Sequence, residues 1–150
     1  MLRFSVVPGA WGGDNARVIE KFSPSTVHEP AGYSHVTISR GGRLAHLAGQ
    51  CPLDMGGDVV GEAGDYAAQT GQVIANCLAV LEAAGATPAD VVRSVIYVVS
   101  ADSGVLGDVW RQLNASPLAP AFTSASTLLG VAALGYEGQL VEVDLTAALD

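Results

Sequence analysis

Apolar and polar residues alternate along Gln139–Thr146, with Val141, Val143 and Leu145 on one side and Leu140, Glu142, Asp144 and Thr146 on the other. A period of two marks a strand that buries one face. His35-Val36-Thr37-Ile38-Ser39 alternates in the same way, and Gly41-Gly42 separates it from a returning run, Leu44 to Ala48. A glycine pair supplies the positive φ of a tight turn, so the spacing predicts a β-hairpin. A two-residue loop sets Thr37 opposite His46 and His35 opposite Ala48. His35, Thr37 and His46 then share one face, while Val36, Ile38, Ala45 and Leu47 point toward a core.

Between these strands the period changes. Val73, Ile74, Cys77, Leu78, Leu81 and Ala84 follow helical spacing, predicting a helix over Tyr66–Ala84 that Asp65 caps and Gly85 ends. Val95-Ile96-Tyr97-Val98-Val99 is apolar without a break, the mark of a strand covered on both faces. A second helix fits Gly104–Asn114, and Gln50–Gly64 is a turn-rich connection. The order β-β-α-β-α-β implies an α+β fold with the helices on one face of the sheet. The other sheet face would carry His35, Thr37, His46, Glu142 and Asp144. Residues 1–17 read as an irregular leader, and residues 18–150 as one domain.

Composition narrows the function. With 49% hydrophobic and 15% charged residues the chain is too apolar for disorder, and self-association is expected. A net charge of −8, with one lysine and six arginines, argues against a nucleic-acid footprint. No apolar run is long enough to cross a membrane. Cys51 and Cys77 form no close metal-binding pair, which fits a reducing compartment; the cytoplasm is the expected location.

Glu142 stands out among the candidate groups because it lies inside an apolar strand. Held rigidly and desolvated at a subunit boundary, it would suit acid–base work. On pattern alone it reads more simply as a solvent-facing strand residue. Glu142 and Asp144 share a face at a spacing compatible with glycosidase carboxylates, but such neighbours are commonplace on strands. His35 and His46 with a carboxylate would make three metal ligands; no metal-motif spacing supports them, and no metal or cofactor is expected. Cys51 follows Gly49-Gln50 at a strand end, where loops present reactive groups, yet no base adjoins it in sequence. Cys77 reads as a core thiol. Phosphate-loop and serine-elbow spacings are missing.

Several blocks together resemble the Rid (reactive intermediate deaminase, YjgF-like) family. They are Gly32-Tyr33-Ser34, Leu47-Ala48-Gly49-Gln50-Cys51-Pro52-Leu53-Asp54, the helix segment Gln69 to Gly85, Asp90-Val91-Val92 to Tyr97, Val131 to Leu134, and Val141-Glu142-Val143. The resemblance implies a chorismate-mutase-like mixed sheet with two helices on one face. It also implies a homotrimer with ligand clefts between subunits, and hydrolysis of reactive 2-imino or enamino acids to 2-oxo acids and ammonia. It casts Glu142 as the glutamate that handles water and Tyr33 as a cleft-lining tyrosine. Gly49, Cys51, Ser126 and Thr127 fall at substrate-binding positions. One departure bears on substrate: the family's deaminases grip a substrate carboxylate with an arginine, and its position falls on Ser126 or Phe122 here. No basic residue lies between Gln112 and Asp150. The family's serine before Gly-Gln is likewise Ala48. The expectation is therefore hydrolysis of an imine-type intermediate other than the usual 2-imino acids, with a non-catalytic small-molecule-binding trimer as the alternative.

Overall fold

The computed structural model describes residues 18–149 apart from Val27 and Gly41. The expected leader, residues 1–17, lies outside the described residues. The elements run β1 (Val18–Phe22), β2 (Val36–Arg40), β3 (Arg43–His46), α1 (Tyr66–Ala83), β4 (Val91–Val98), α2 (Ser103–Asn114), β5 (Ala125–Gly130) and β6 (Val141–Leu149). Pairing gives a mixed sheet in the order β3-β6-β4-β5, with β4 and β5 parallel and the other pairs antiparallel, and a separate ribbon β1-β2. The α+β architecture and both helices match the sequence expectation.

α1 begins where Asp65 accepts a hydrogen bond from the Ala68 amide at 2.9 Å, and it ends before Gly85, whose φ of +76° a side chain would resist. Its apolar stripe (Val73, Ile74, Cys77 and Leu81) packs with Val109 and Leu113 of α2 against Ile96, Val98, Val141, Val143 and Leu145 of the sheet. These side chains form one core on the helical side of the sheet. Alternation along β6 holds: Val141, Val143 and Leu145 are buried, whereas Glu142, Asp144 and Thr146 on the other face are half-buried.

The predicted hairpin is not observed. β2 pairs with β1, placing Thr37 opposite Lys21, and β3 pairs with β6, placing His46 opposite Thr146. Alternation specifies which face a strand buries, not which strand it pairs with. Here both runs find partners distant from the glycine turn. β1 itself alternates (Val18, Glu20 and Phe22 against Ile19 and Lys21) and is a strand that the sequence reading did not identify. The ribbon lies against one end of the sheet. Thr37 Oγ1 accepts from the Ala125 amide at 2.9 Å, the Ser34 amide donates to the Ser124 carbonyl at 3.2 Å, and Lys21 donates to Thr123 Oγ1 at 2.9 Å.

Candidate functional site

β6 occupies the interior of the four-stranded sheet, so Glu142 stands on a strand paired on both sides. Tyr97 of β4 lies opposite it. On the other side, an isolated bridge joins Gln50 to Val143 through hydrogen bonds of 2.8 and 3.2 Å. That bridge draws the Gly49-Gln50-Cys51 turn against the glutamate. The turn is held in place from α1, where Asn76 Nδ2 donates to the carbonyls of Cys51 at 2.9 Å and Leu53 at 3.0 Å.

Three groups then meet at the Glu142 carboxylate. Gln139 Nε2 donates to Oε2 at 3.0 Å, and the Cys51 thiol donates to the same oxygen at 3.6 Å. The other oxygen, Oε1, sits so close above Gly49 that a Cβ on that residue would overlap it. Gln139 is itself buried and anchored, because its Oε1 accepts from the Tyr136 amide at 3.1 Å. Oε2 is thus committed to two protein donors, whereas Oε1 faces the one neighbour that has no side chain. A carboxylate held this way keeps one basic oxygen at a fixed position.

The Cys51 thiol is pushed above its ordinary pKa, first by burial and then by the Glu142 charge. It is protonated at neutral pH and acts here as a hydrogen-bond donor, not as a thiolate nucleophile. Burial pushes Cys77 up to about 12, in keeping with a core thiol.

The structure therefore brings Gly49, Cys51 and Glu142 together, and adds Gln139, which the sequence reading missed. The remaining candidates lie in other surroundings. Tyr33 hydrogen-bonds through its hydroxyl to His28 Nε2 at 2.9 Å, and its ring stacks edge-on with His35 at 5.4 Å. Ser126 faces the core side of the sheet, with its hydroxyl 2.6 Å from that of the buried Ser94 and within bonding reach of the Phe122 and Ser124 carbonyls. Thr127, its neighbour, lies opposite Val95 on the other face of the sheet. Phe122, the second position at which the family arginine could fall, is fully buried. Among the described residues no group of three or more His, Cys, Asp or Glu is placed to hold a metal ion, and no helix is long and apolar enough to cross a membrane.

A family model described as Endoribonuclease L-PSP matches residues 25–149. The chain belongs to that family. Among solved structures, YyfB of Yersinia pestis, a Rid family protein of unknown function, is 39% identical, with a TM-score of 0.78 over 87% of this chain and 98% of its own. YyfA of the same organism, also a Rid protein of unknown function, is 28% identical with a TM-score of 0.62, over 89% of this chain and 100% of its own. The yeast protein YEO7 is 25% identical with a TM-score of 0.61, over 87% of this chain and 98% of its own. No curated protein matches the chain. The Rid resemblance and the YjgF-like fold read from the sequence are both upheld.

Proposed function

We propose that this Rid protein hydrolyses an imine- or enamine-type reactive intermediate at Glu142, in a cleft between the subunits of a cytoplasmic homotrimer. Membership of the Rid family supports a role in reactive-intermediate deamination. The observation that carries the reading is the asymmetric hold on the carboxylate, with Oε2 bound by Gln139 and Cys51 and Oε1 left over Gly49.

In this reaction the imine nitrogen takes a proton from solvent, and Oε1 takes a proton from water as the water oxygen bonds to the C=N carbon, giving a carbinolamine. The carbinolamine then collapses. Glu142 returns its proton to the nitrogen, the C–N bond breaks to release ammonia, and the hydroxyl gives its proton to solvent as the carbonyl forms. Gly49, by lacking a side chain, leaves the space that Oε1 itself occupies and so fixes where that oxygen stands. Tyr33 would line the cleft from a neighbouring subunit, and Thr127 would offer its hydroxyl to the substrate. With the Ser126 hydroxyl engaged by Ser94, and no basic residue between Gln112 and Asp150, the β5 side of the site suits an uncharged substrate better than a 2-imino acid. Replacing a bidentate guanidinium–carboxylate contact with hydroxyls costs a few kcal/mol, roughly a hundredfold in binding.

The test is ammonia release from freshly generated imines, uncharged ones beside 2-iminopropionate, with the assembly state measured by sedimentation. Release from the uncharged imines by the wild-type trimer, and none by Glu142→Gln with the trimer intact, is the expected result. Equal release by Glu142→Gln would overturn the proposal. A second reading, a non-catalytic binding trimer, rests on the same engaged Ser126 hydroxyl. It would be favoured by metabolites that raise the melting temperature without being converted.

A further inference from the structure

Two buried glutamines lie end to end between α1 and Glu142. Gln69, on α1, is 1% exposed. Its Nε2 donates to the Gly138 carbonyl at 2.9 Å, and its Oε1 accepts from the Leu140 amide at 2.7 Å. These groups belong to the two peptide units on either side of Gln139. Further bonds hold the same segment: the Leu140 carbonyl accepts from the Val99 amide at 2.8 Å, and the Gln139 amide donates to the Tyr136 carbonyl at 3.1 Å. Peptide units are rigid planes. Gripping both of them fixes φ and ψ of Gln139, and with these the direction in which its side chain leaves the backbone.

Neither side-chain amide can turn over. A backbone N–H only donates and a backbone carbonyl only accepts. Gln69 Oε1 therefore has to face Leu140, and its Nε2 has to face Gly138. In Gln139, Oε1 takes the Tyr136 amide at 3.1 Å. That leaves Nε2 to donate to Glu142 Oε2 at 3.0 Å and to the Val141 carbonyl at 3.3 Å. Reversing either amide would set donor against donor and acceptor against acceptor at buried groups.

The rest of the α1 stripe, Val73, Ile74, Cys77 and Leu81, is apolar. An amide buried beside that stripe carries a desolvation cost, which its hydrogen bonds offset. Both of those bonds go to the segment that carries Gln139. Thr70, its neighbour, is the contrast: it is fully buried, and its hydroxyl has no partner among the described residues.

We infer that Gln69 is a positioning residue for Glu142, acting through the backbone of residues 138–140 and the Gln139 amide to fix the carboxylate on the helix-free face of the sheet. Its effect on rate rests on the hydrolytic reading of Glu142; its effect on where the carboxylate stands does not. The test joins a spectroscopic and a kinetic measurement on the full-length protein. The carboxyl carbon signal of Glu142, assigned by its loss in Glu142→Gln, is followed by carbon NMR at a fixed neutral pH. Gln139→Met removes a donor at Oε2 and should displace that signal. Gln69→Met should displace it in the same direction. So should the milder Gln69→Asn, which is too short to span both peptide units and carries the comparison if Gln69→Met does not fold. Thr70→Val, an equally buried change one residue away, should leave the signal in place. On the imine that the wild type hydrolyses, kcat should fall roughly tenfold in Gln69→Met while KM stays within about twofold. The Gln69→Met/Gln139→Met double variant should be no slower than Gln139→Met alone, because a residue that acts through another adds nothing once the other is gone. An unmoved Glu142 signal in the folded Gln69 variants, an equal displacement in Thr70→Val, or losses that multiply in the double variant would overturn the inference. A wild type that hydrolyses no imine, with the pattern of displaced signals intact, sinks the hydrolytic reading and upholds the positioning.

Discussion

The two oxygens of Glu142 are unequal, and that inequality makes Gly49 and Cys51 testable one atom at a time. Gly49→Ala places a methyl group where Oε1 sits, so the carboxylate must turn away from its position. A displacement of that size near a reacting atom costs roughly a hundredfold in rate. The expected outcome is loss of imine hydrolysis with an unchanged circular dichroism spectrum. Cys51 reports on the same contact from the other side. Its thiol is held protonated by burial and, next, by the Glu142 charge. Removing that charge in Glu142→Gln lowers the pKa, so iodoacetamide should alkylate Cys51 severalfold faster at neutral pH. An unchanged or slower rate would show that the carboxylate does not govern the thiol.

At this scale the sequence was informative where periodicity or a motif spoke. The alternation of β6 singled out Glu142, and the Gly-Gln-Cys-Pro block pointed to Gly49 and Cys51. Gln139 had no such signal. It precedes the strand in a turn, and its role arises from an amide reaching three residues along the chain to an oxygen that only the fold positions. Ser126 was legible by alignment alone. Its register against Ser94, which turns the hydroxyl inward, depends on the parallel pairing of β4 and β5.

Among the elements, α1 was read closely because its cap, stripe and glycine stop are all local. That same locality gives a stability test. Asp65→Ala removes the side chain that accepts from the Ala68 amide, and an N-cap loss of this kind costs about 1 kcal/mol. Urea denaturation should show a lower midpoint with an unchanged slope. The hairpin misreading is the converse. Gly41-Gly42 is the local chemistry of a tight turn, but the pairing is decided by β1 and β6, neither of which lies next to it in sequence. Short-range turn signals lose to long-range partners when those partners offer a complete ladder.

For the molecule as a whole, the core carries a pH dependence of its own. Cys77 is fully buried, and its pKa is raised from 9.0 to about 12. Because the folded-state value is the higher one, this thiol's contribution to stability is complete below pH 9 and is lost as pH rises toward 12. Across that window the loss is at most about 4 kcal/mol. Cys77→Ala lacks the ionisation. The variant should be less stable than wild type at neutral pH and gain on it progressively in alkali, as measured by denaturation midpoints. A difference that stays constant with pH would rule the linkage out.

The position of β6 has a consequence for how the protein is made. Among the described strands Val141–Leu149 comes latest in sequence, yet it lies between β3 and β4 in the sheet. During synthesis β3 leaves the ribosome about a hundred residues before its partner, and the long separation makes this pairing slow to find. The nascent chain can build α1, α2 and the parallel β4–β5 unit, but the carboxylate and the strand that seats it arrive together, after these elements. The site therefore cannot be assembled ahead of the sheet. Nascent chains stalled before residue 141 would hold Gly49 and Cys51 with nothing to close upon, and the half-open edges of β3 and β4 are where a chaperone would be needed.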